Sequence, residues 1–417
     1  MAQLDTLIPR RGDAHDRPFR HRETQLVARL LARTELREAL AVFLLTRALF
    51  LLLTYFGVIL FESTLHGPHP SFLHQLLPAW NNPVNHGWDT QWYIDIAHRG
   101  YNWRKSVGTS PTAFFPLYPL LIHVGTSVTH RSSILVALTI SNLAFLAALI
   151  YLGRLAEWEL DRVVARRTIL YIATFPTALF FFAGYTESLF LFLTVACFFH
   201  LRRGDWVVAG LFGSLASATR VTGILLLVPM LYEYARDRNF SLRELNIGAL
   251  GVLLVPTGLL AFMLYLNAAV GDAFAFTHSQ TAWQKTFTPR IWSGFLESLR
   301  QIATLPQASF LQAHNVINVA VGGSFLVCTV LAARRLPASY TLYLVAFWLV
   351  TLTSPAIAGG YQVSLISLSR YVLALFPIFM YLGTLGRKQR FHDAYLVLGV
   401  GTLSLFTVQF LIGGWII

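Results

Sequence analysis

The sequence predicts an all-α polytopic membrane protein, and three observations carry that class. Of the 417 residues, 55% are hydrophobic and only 12% are charged. The mean hydropathy is positive, and apolar runs of spanning length recur from Ala39 onward. A chain this apolar has more hydrophobic surface than a soluble core can bury. The net charge of +12 would suit nucleic acid, but Arg and Lys lie in short clusters between the apolar runs. That distribution keeps basic loops on the cytoplasmic side, so it reports topology and excludes a nucleic-acid partner. Cys197 and Cys328 each lie inside an apolar run, which speaks against a disulfide framework or a metal site.

The elements follow in order. Residues 1–36 are polar and Arg-rich with no cleavage pattern after them, and read as a cytoplasmic basic tail whose 29–40 stretch could lie along the anionic inner leaflet. Residues 37–417 form a single transmembrane domain, since no repeat or soluble module stands out. A span needs roughly 20 apolar residues. The first, about 39–61, runs outward and leads into a long outer loop, about 62–112. The run 113–128 is short and broken by Pro116 and Pro119, so it is re-entrant or interfacial.

Spans near 134–153, 168–184 and 186–201 follow, separated by the basic cluster Arg154, Arg162, Arg166 and Arg167 and then by Tyr185-Thr186-Glu187. As one helix, 206–234 would place Arg236, Arg238 and Arg243 outside. Split near Thr219-Arg220 into two short crossings, it keeps Arg334-Arg335 and Arg387-Lys388-Arg390 inside. Halves that short fit a thinned bilayer or helices ending in a polar cavity. The remaining spans lie near 246–268, 313–333, 338–355, 360–383 and 393–414, with a second long outer loop at 271–312, for a total of about eleven.

The outer segment Trp88-Asp89-Thr90-Gln91-Trp92-Tyr93 sets one carboxylate among aromatics beside the membrane. If it is helical, Asp89 shares a face with Trp92 and Tyr93, while Asp95 pairs with Arg99 four residues on. Asp89 is then left unpaired, and its placement suggests catalysis at the lipid surface. Glu187, Arg220 and Arg370 interrupt apolar runs, where a charge costs about 2.5–3.5 kcal/mol and calls for a partner. Thr186 capping a helix that begins at Glu187 would account for the acid, and snorkelling or an internal ion pair for the arginines. The functional reading is a cationic pocket for a phosphate, which guanidinium groups grip with two parallel hydrogen bonds.

In the second outer loop, Gly271-Asp272, His278, Gln280 and Trp283 are either interfacial anchors or groups that stack on and hydrogen-bond to a sugar. His86 and His98 lack the spacing of a zinc helix. No Gly-rich phosphate loop, Gly-x-Ser-x-Gly elbow or His-Glu-x-x-His occurs, and no cofactor is implied. An activated donor must therefore arrive through lipid, as a polyprenyl phosphate sugar does, and one base then suffices.

Several segments together resemble the PIG-V family of membrane mannosyltransferases, within the GT-C-like class of polytopic glycosyltransferases. They are Trp88-Asp89 with Trp92-Tyr93, Ile96-Ala97 and Gly100-Tyr101; Phe115-Pro116-Leu117-Tyr118-Pro119; Tyr185-Thr186-Glu187-Ser188-Leu189-Phe190; Ala218-Thr219-Arg220 with Gly223; Gly271-Asp272 with Gln280 and Trp283; and Ser369-Arg370-Tyr371. The resemblance implies inverting transfer of mannose from a polyprenyl (dolichyl-type) phosphate to a lipid-linked glycan or glycolipid acceptor at the outer face, with Asp89 as base. Arg220 and Arg370 would hold the donor phosphate, and Trp88, Trp92, Tyr93, Tyr118, Glu187, Gln280, Trp283 and Tyr371 would contact substrate. Gly87 separates His86 from the Trp-Asp pair, so no role passes to His86. The chain would sit in the plasma membrane of a bacterium or the endoplasmic reticulum of a eukaryote. Rival readings are the same fold with an arabinose or glucose donor, a flippase for lipid-linked sugars, and a non-catalytic subunit.

Overall fold

The computed structural model describes residues 23–60, 77, 79–81, 88–101, 110–241, 243, 246–283, 285, 287–356 and 363–414; side chains are described from 35 onward, except at 58, 59, 282 and 283. Among these residues the structure is helical, with no strand. The chain is an integral membrane protein. Four helices are long and apolar enough to cross a bilayer, within α1 (Glu23–Leu60), α4 (Ser133–Glu159), α13 (Phe310–Ala332) and α17 (Gln389–Leu411). Two bent pairs raise the number to six: α9 (Gly248–Leu254) with α10 (Thr257–Val270), at 42°, and Leu368–Ala374 with α16 (Phe376–Leu385), at 84°. Pro256 and Pro377 stand at the two bends, where a missing N–H and a fixed φ end one helix and start the next.

The candidate first span, Glu35–Gly57, lies close to the expected 39–61. Helix α1 is continuous from Glu23, so the 29–40 stretch is part of it. Between α1 and α4 lie α2 (Asp89–Arg99) and α3 (Leu117–Thr129). Helix α3 lies within the run that Pro116 and Pro119 mark, with Pro116 as its N-cap; its 13 residues reach about 20 Å, short of a hydrocarbon core of roughly 30 Å.

Helix α5 (Arg162–Ala173) departs from the expected 168–184 span. Pro176 stops it, and a short 3-10 turn, Ala178–Phe181, precedes α6 (Glu187–Arg203). Unwound backbone in a buried place needs donors for its carbonyls, and neighbouring side chains supply them. Phe181 O accepts from Ser188 Oγ (2.9 Å) and Arg47 Nη1 (3.4 Å), Phe182 O from Asn142 Nδ2 (3.2 Å), and Tyr185 O from Ser141 Oγ (3.0 Å). Arg47 is a charge inside the first apolar run that the sequence reading passed over.

The stretch 206–234 does divide. Helix α7 (Trp206–Ser217) ends, Arg220 is extended, and the 3-10 turn Val221–Leu226 leads into α8 (Leu227–Arg236). The turn folds tightly against the end of α7: a Cβ on Gly223 would lie 2.3 Å from the carbonyl carbon of Ala216. Ion pairs fix the direction of the two halves. Arg202 joins Glu159 (2.6 Å) and Glu233 (2.9 Å), and Tyr340 donates to Glu159 (3.0 Å). Glu35 with Arg154 (3.1 Å), Glu38 with Arg162 (3.0 Å), and Asp161 with Arg387 gather the helix ends that carry the basic clusters. Residue 233 thus returns to the end that 206 left. Asp89, Glu187, Arg220 and Arg370 lie together away from that end.

Candidate active site

Three interruptions of regular helix deliver the charged side chains. Asp89 opens α2, where a carboxylate in the first turn suits the helix dipole. Glu187 opens α6 after the unwound 178–186 segment, and Arg220 lies in the extended link between α7 and the next turn. Arg370 belongs to α15 (Leu368–Tyr371), a short helix before the 84° bend.

These side chains converge. Arg370 Nη2 is 2.5 Å from Asp89 Oδ2, and its Nε is 2.6 Å from Glu187 Oε1. Arg220 Nη1 reaches the same Glu187 oxygen at 2.7 Å and Thr186 Oγ1 at 3.1 Å. The Tyr93 hydroxyl is 3.3 Å from Thr186 Oγ1. Asp89 is therefore not the unpaired acid that local spacing predicts, because its partner comes from a distant part of the chain. Asp95, expected to pair with Arg99, accepts a hydrogen bond from Gln91 Nε2 at 2.8 Å. Thr186 does not cap α6 with its side chain; its hydroxyl turns to Arg220 and Tyr93 instead. The Arg220 guanidinium stands 5.5 Å from the Tyr371 ring centre, and that of Arg370 5.0 Å from Tyr185.

A cavity of about 580 Å³ takes in Trp88, Asp89, Tyr93, Glu187, Arg220, Gln280, Arg370 and Tyr371. Two of the expected substrate contacts lie behind its wall. Tyr118 is fully buried, donating to Ala137 O (2.9 Å) and bonding Ser141 Oγ (2.7 Å). Trp92 is buried and stacks on Phe114 at 5.3 Å. Both support Tyr93 or Phe114 from outside the cavity. Side-chain placement of Trp283, and all of His86, fall outside the described residues. His98 bonds Ser133 Oγ at 2.8 Å.

Asp272 builds a turn: His278 Nδ1 lies 2.7 Å from one of its oxygens and Phe274 N donates to the other at 2.9 Å. The His278 hydrogen bond, then the Phe274 N–H, hold this exposed carboxyl below the usual range. Lys285, which the sequence reading missed, also lines the cavity, with Nζ 2.6 Å from the Tyr371 hydroxyl and 4.6 Å from its ring centre. Its signal was a basic residue in a predicted outer loop, where the positive-inside rule gives no reason for one. Two polar atoms of the lining, Glu187 Oε2 and Trp88 Nε1, are buried without a hydrogen-bond partner among the described residues. A hydroxyl-rich ligand can satisfy both.

Sequence comparisons with known proteins converge on one family. A family model described as mannosyltransferase (PIG-V) matches residues 36–292. GPI alpha-1,6-mannosyltransferase 2 of Mus musculus is 32% identical over 173 residues, 38% of this chain and 33% of that protein. The Homo sapiens protein of the same name is 27% identical over 221 residues, 49% of this chain and 43% of its own length. GPI mannosyltransferase 2 of Yarrowia lipolytica is 25% identical over 233 residues, 55% and 59% of the two chains. The matched stretch thus spans less than two thirds of each relative. In structure, ArnT from Cupriavidus metallidurans, solved bound to undecaprenyl phosphate, superposes with a TM-score of 0.51 at 12% identity, covering 85% of this chain and 62% of that one. That likeness shows a shared fold. By its match to the family model over more than half its length, the chain belongs to the mannosyltransferase (PIG-V) family.

Proposed function

We propose that this protein is an inverting glycosyltransferase that moves mannose from a polyprenyl phosphate carrier to a lipid-linked acceptor at the extracytoplasmic face. The observation that carries the reading is the convergence of Asp89 with Arg370, Glu187 and Arg220 on one cavity. The relatives named as GPI mannosyltransferases support the sugar, and the undecaprenyl phosphate on ArnT supports the carrier. The clustered basic ends, read as cytoplasmic, support an outer position for the cavity. The bent and short helices then complete eleven passages in a GT-C-like arrangement.

The chemistry follows from the residue types. Asp89 takes the proton of the acceptor hydroxyl as that oxygen bonds to the anomeric carbon. The bond from that carbon to the phosphate oxygen breaks, its electron pair leaving with the phosphate. Base and leaving group lie on opposite sides of a single displacement, so configuration inverts. Arg220 and Arg370 stabilise the departing phosphate. Trp88, Tyr93, Gln280 and Tyr371 border the sugar, while Glu187 holds both arginines. The test is transfer by purified protein in lipid nanodiscs from mannose-, glucose- and arabinose-labelled polyprenyl phosphates, with the product's anomeric configuration read by NMR. Transfer of mannose with inversion is the expected result. Retention, or preference for another sugar, overturns the corresponding part of the reading.

A further inference from the structure

Among the described residues, the charged groups lining the cavity are two carboxylates, Asp89 and Glu187, and three cations, Arg220, Arg370 and Lys285. Both guanidinium groups are committed. Arg370 joins Asp89 and Glu187, and Arg220 joins Glu187, all within 2.7 Å. The two pairs cancel, and the described lining keeps one excess positive charge. Lys285 carries it. Its ammonium rests on the Tyr371 hydroxyl and ring face, and no carboxylate among the described residues pairs with it. An aromatic face and a phenol oxygen orient an ammonium without neutralising it.

We propose that Lys285 recognises the phosphate of the incoming carrier and that Arg370 takes up the charge that appears when the sugar leaves. This inference rests on the polyprenyl phosphate donor proposed above. A glycosyl phosphodiester bears one negative charge, which matches the single excess charge of the site. In the reaction the proton moves to Asp89, which becomes neutral as the leaving phosphate gains a second negative charge. Arg370 then loses one of its two counter-charges at the moment a new one forms beside it. Charge is conserved in the cavity throughout, a condition that matters where the surroundings are apolar. The lining also offers the carrier a place to lie: Val221, Val350 and Phe287 border the cavity and are exposed, and Phe347 adds to the same apolar wall. Phe287 is two residues from Lys285, so phosphate and first isoprene unit meet the same short segment.

The experiment measures binding of mannosyl undecaprenyl phosphate, the singly charged diester, and of the neutral alcohol undecaprenol, to full-length protein in nanodiscs, with no acceptor and no turnover. Lys285→Met is expected to weaken phosphate binding about ten- to a hundredfold and leave alcohol binding unchanged, and Lys285→Arg is expected to keep the selectivity for phosphate. If Lys285→Met loses phosphate and alcohol equally, the residue is structural and the proposal is overturned. It is also overturned if the variant binds phosphate as wild type does. Should Lys285→Met melt early, Lys285→Arg and Lys285→Gln decide the matter by their phosphate-to-alcohol ratio: only arginine should preserve it. Wild-type protein that binds both lipids alike would sink the donor assignment itself, a result distinct from a failure confined to the variants.

Discussion

Nη2 of Arg370 lies 2.5 Å from Oδ2 of Asp89, while Nε of the same guanidinium lies 2.6 Å from Oε1 of Glu187. One cation therefore spans two acids delivered by separate helix starts, and fixes the candidate base relative to the rest of the site. A carboxylate in that position is held and oriented by the same cation that would meet the donor phosphate. Asp89→Asn keeps the shape and a carbonyl oxygen for Arg370 but cannot take a proton. Transfer should fall about 100- to 10,000-fold while the melting temperature changes little. Radiolabel transfer from lipid-phosphate mannose measures it, and near-normal turnover in folded protein removes Asp89 from the chemistry.

Glu187 plays a different part. Its side chain is 5% exposed and one of its oxygens holds both Arg220 and Arg370. Removing that charge leaves two guanidinium groups close together in a buried place, and breaking a buried pair in this way costs about 3–5 kcal/mol. Glu187→Gln should therefore lower the melting temperature clearly as well as the rate, unlike Asp89→Asn. Equal melting curves for the two variants would contradict the structural role given to Glu187.

Much of this was legible in the sequence, and what was missed shares a cause. Composition and the recurrence of apolar runs specify a helical membrane protein, because both report total hydrophobic surface. The break at Thr219-Arg220 was readable because a charge and the basic loops on either side constrain direction. The pairing of Asp89 with Arg370 was not, since local spacing speaks only for neighbours three or four residues apart. The family resemblance implies a substrate contact at Tyr118, whereas the fold buries that side chain behind the cavity wall with its hydroxyl on Ala137 O and Ser141 Oγ. Whether an aromatic faces a cavity or backs its wall depends on helix rotation, which a short broken run leaves open. Lys285 and Arg47 escaped notice because each is a single charge whose meaning lies in what the fold sets around it.

Close backbone contact between α7 and the α9–α10 pair gives a test of the fold itself. A Cβ on Gly251 would lie 2.1 Å from the carbonyl oxygen of Trp206, a collision with backbone that no rotamer change relieves. Membrane helices use such small residues where their backbones touch. Gly251→Ala should destabilise by about 1–3 kcal/mol. Gly323→Ala is the control: it lies within α13 and a Cβ there meets nothing within 4 Å. The gain in helix propensity should leave its stability equal or higher by about 0.5–1 kcal/mol. Thermal unfolding in the same detergent should place Gly251→Ala below wild type and Gly323→Ala at or above it.

Arg47 separates stability from positioning. It sits within α1, is 7% exposed, and is ringed by Phe43, Phe50, Phe145 and Phe182 at 4.9–5.3 Å from the guanidinium carbon. Nη1 donates to Asn142 Oδ1 at 2.7 Å and to Phe181 O at 3.4 Å, while Nε and Nη2 are buried without partners among the described residues. A charge in such surroundings costs about 2.5–3.5 kcal/mol, and its charged hydrogen bonds return about 1.5–3 kcal/mol each. The two bonds outweigh that cost by up to about 3 kcal/mol, so Arg47→Met, which fills similar space among the rings, should lower the melting temperature by a few degrees. The unwound segment ahead of Glu187 nevertheless loses a tether at Phe181, leaving Ser188 as the remaining side-chain donor to that carbonyl. Placement of Glu187, and through it of both arginines, should loosen. Turnover is expected to fall while the KM for the lipid donor stays close to wild type, because Arg47 lies outside the cavity lining. An Arg47→Met protein with full turnover would show that the segment holds Glu187 without this residue, and one that fails to fold would place Arg47 among the groups that stabilise the bundle.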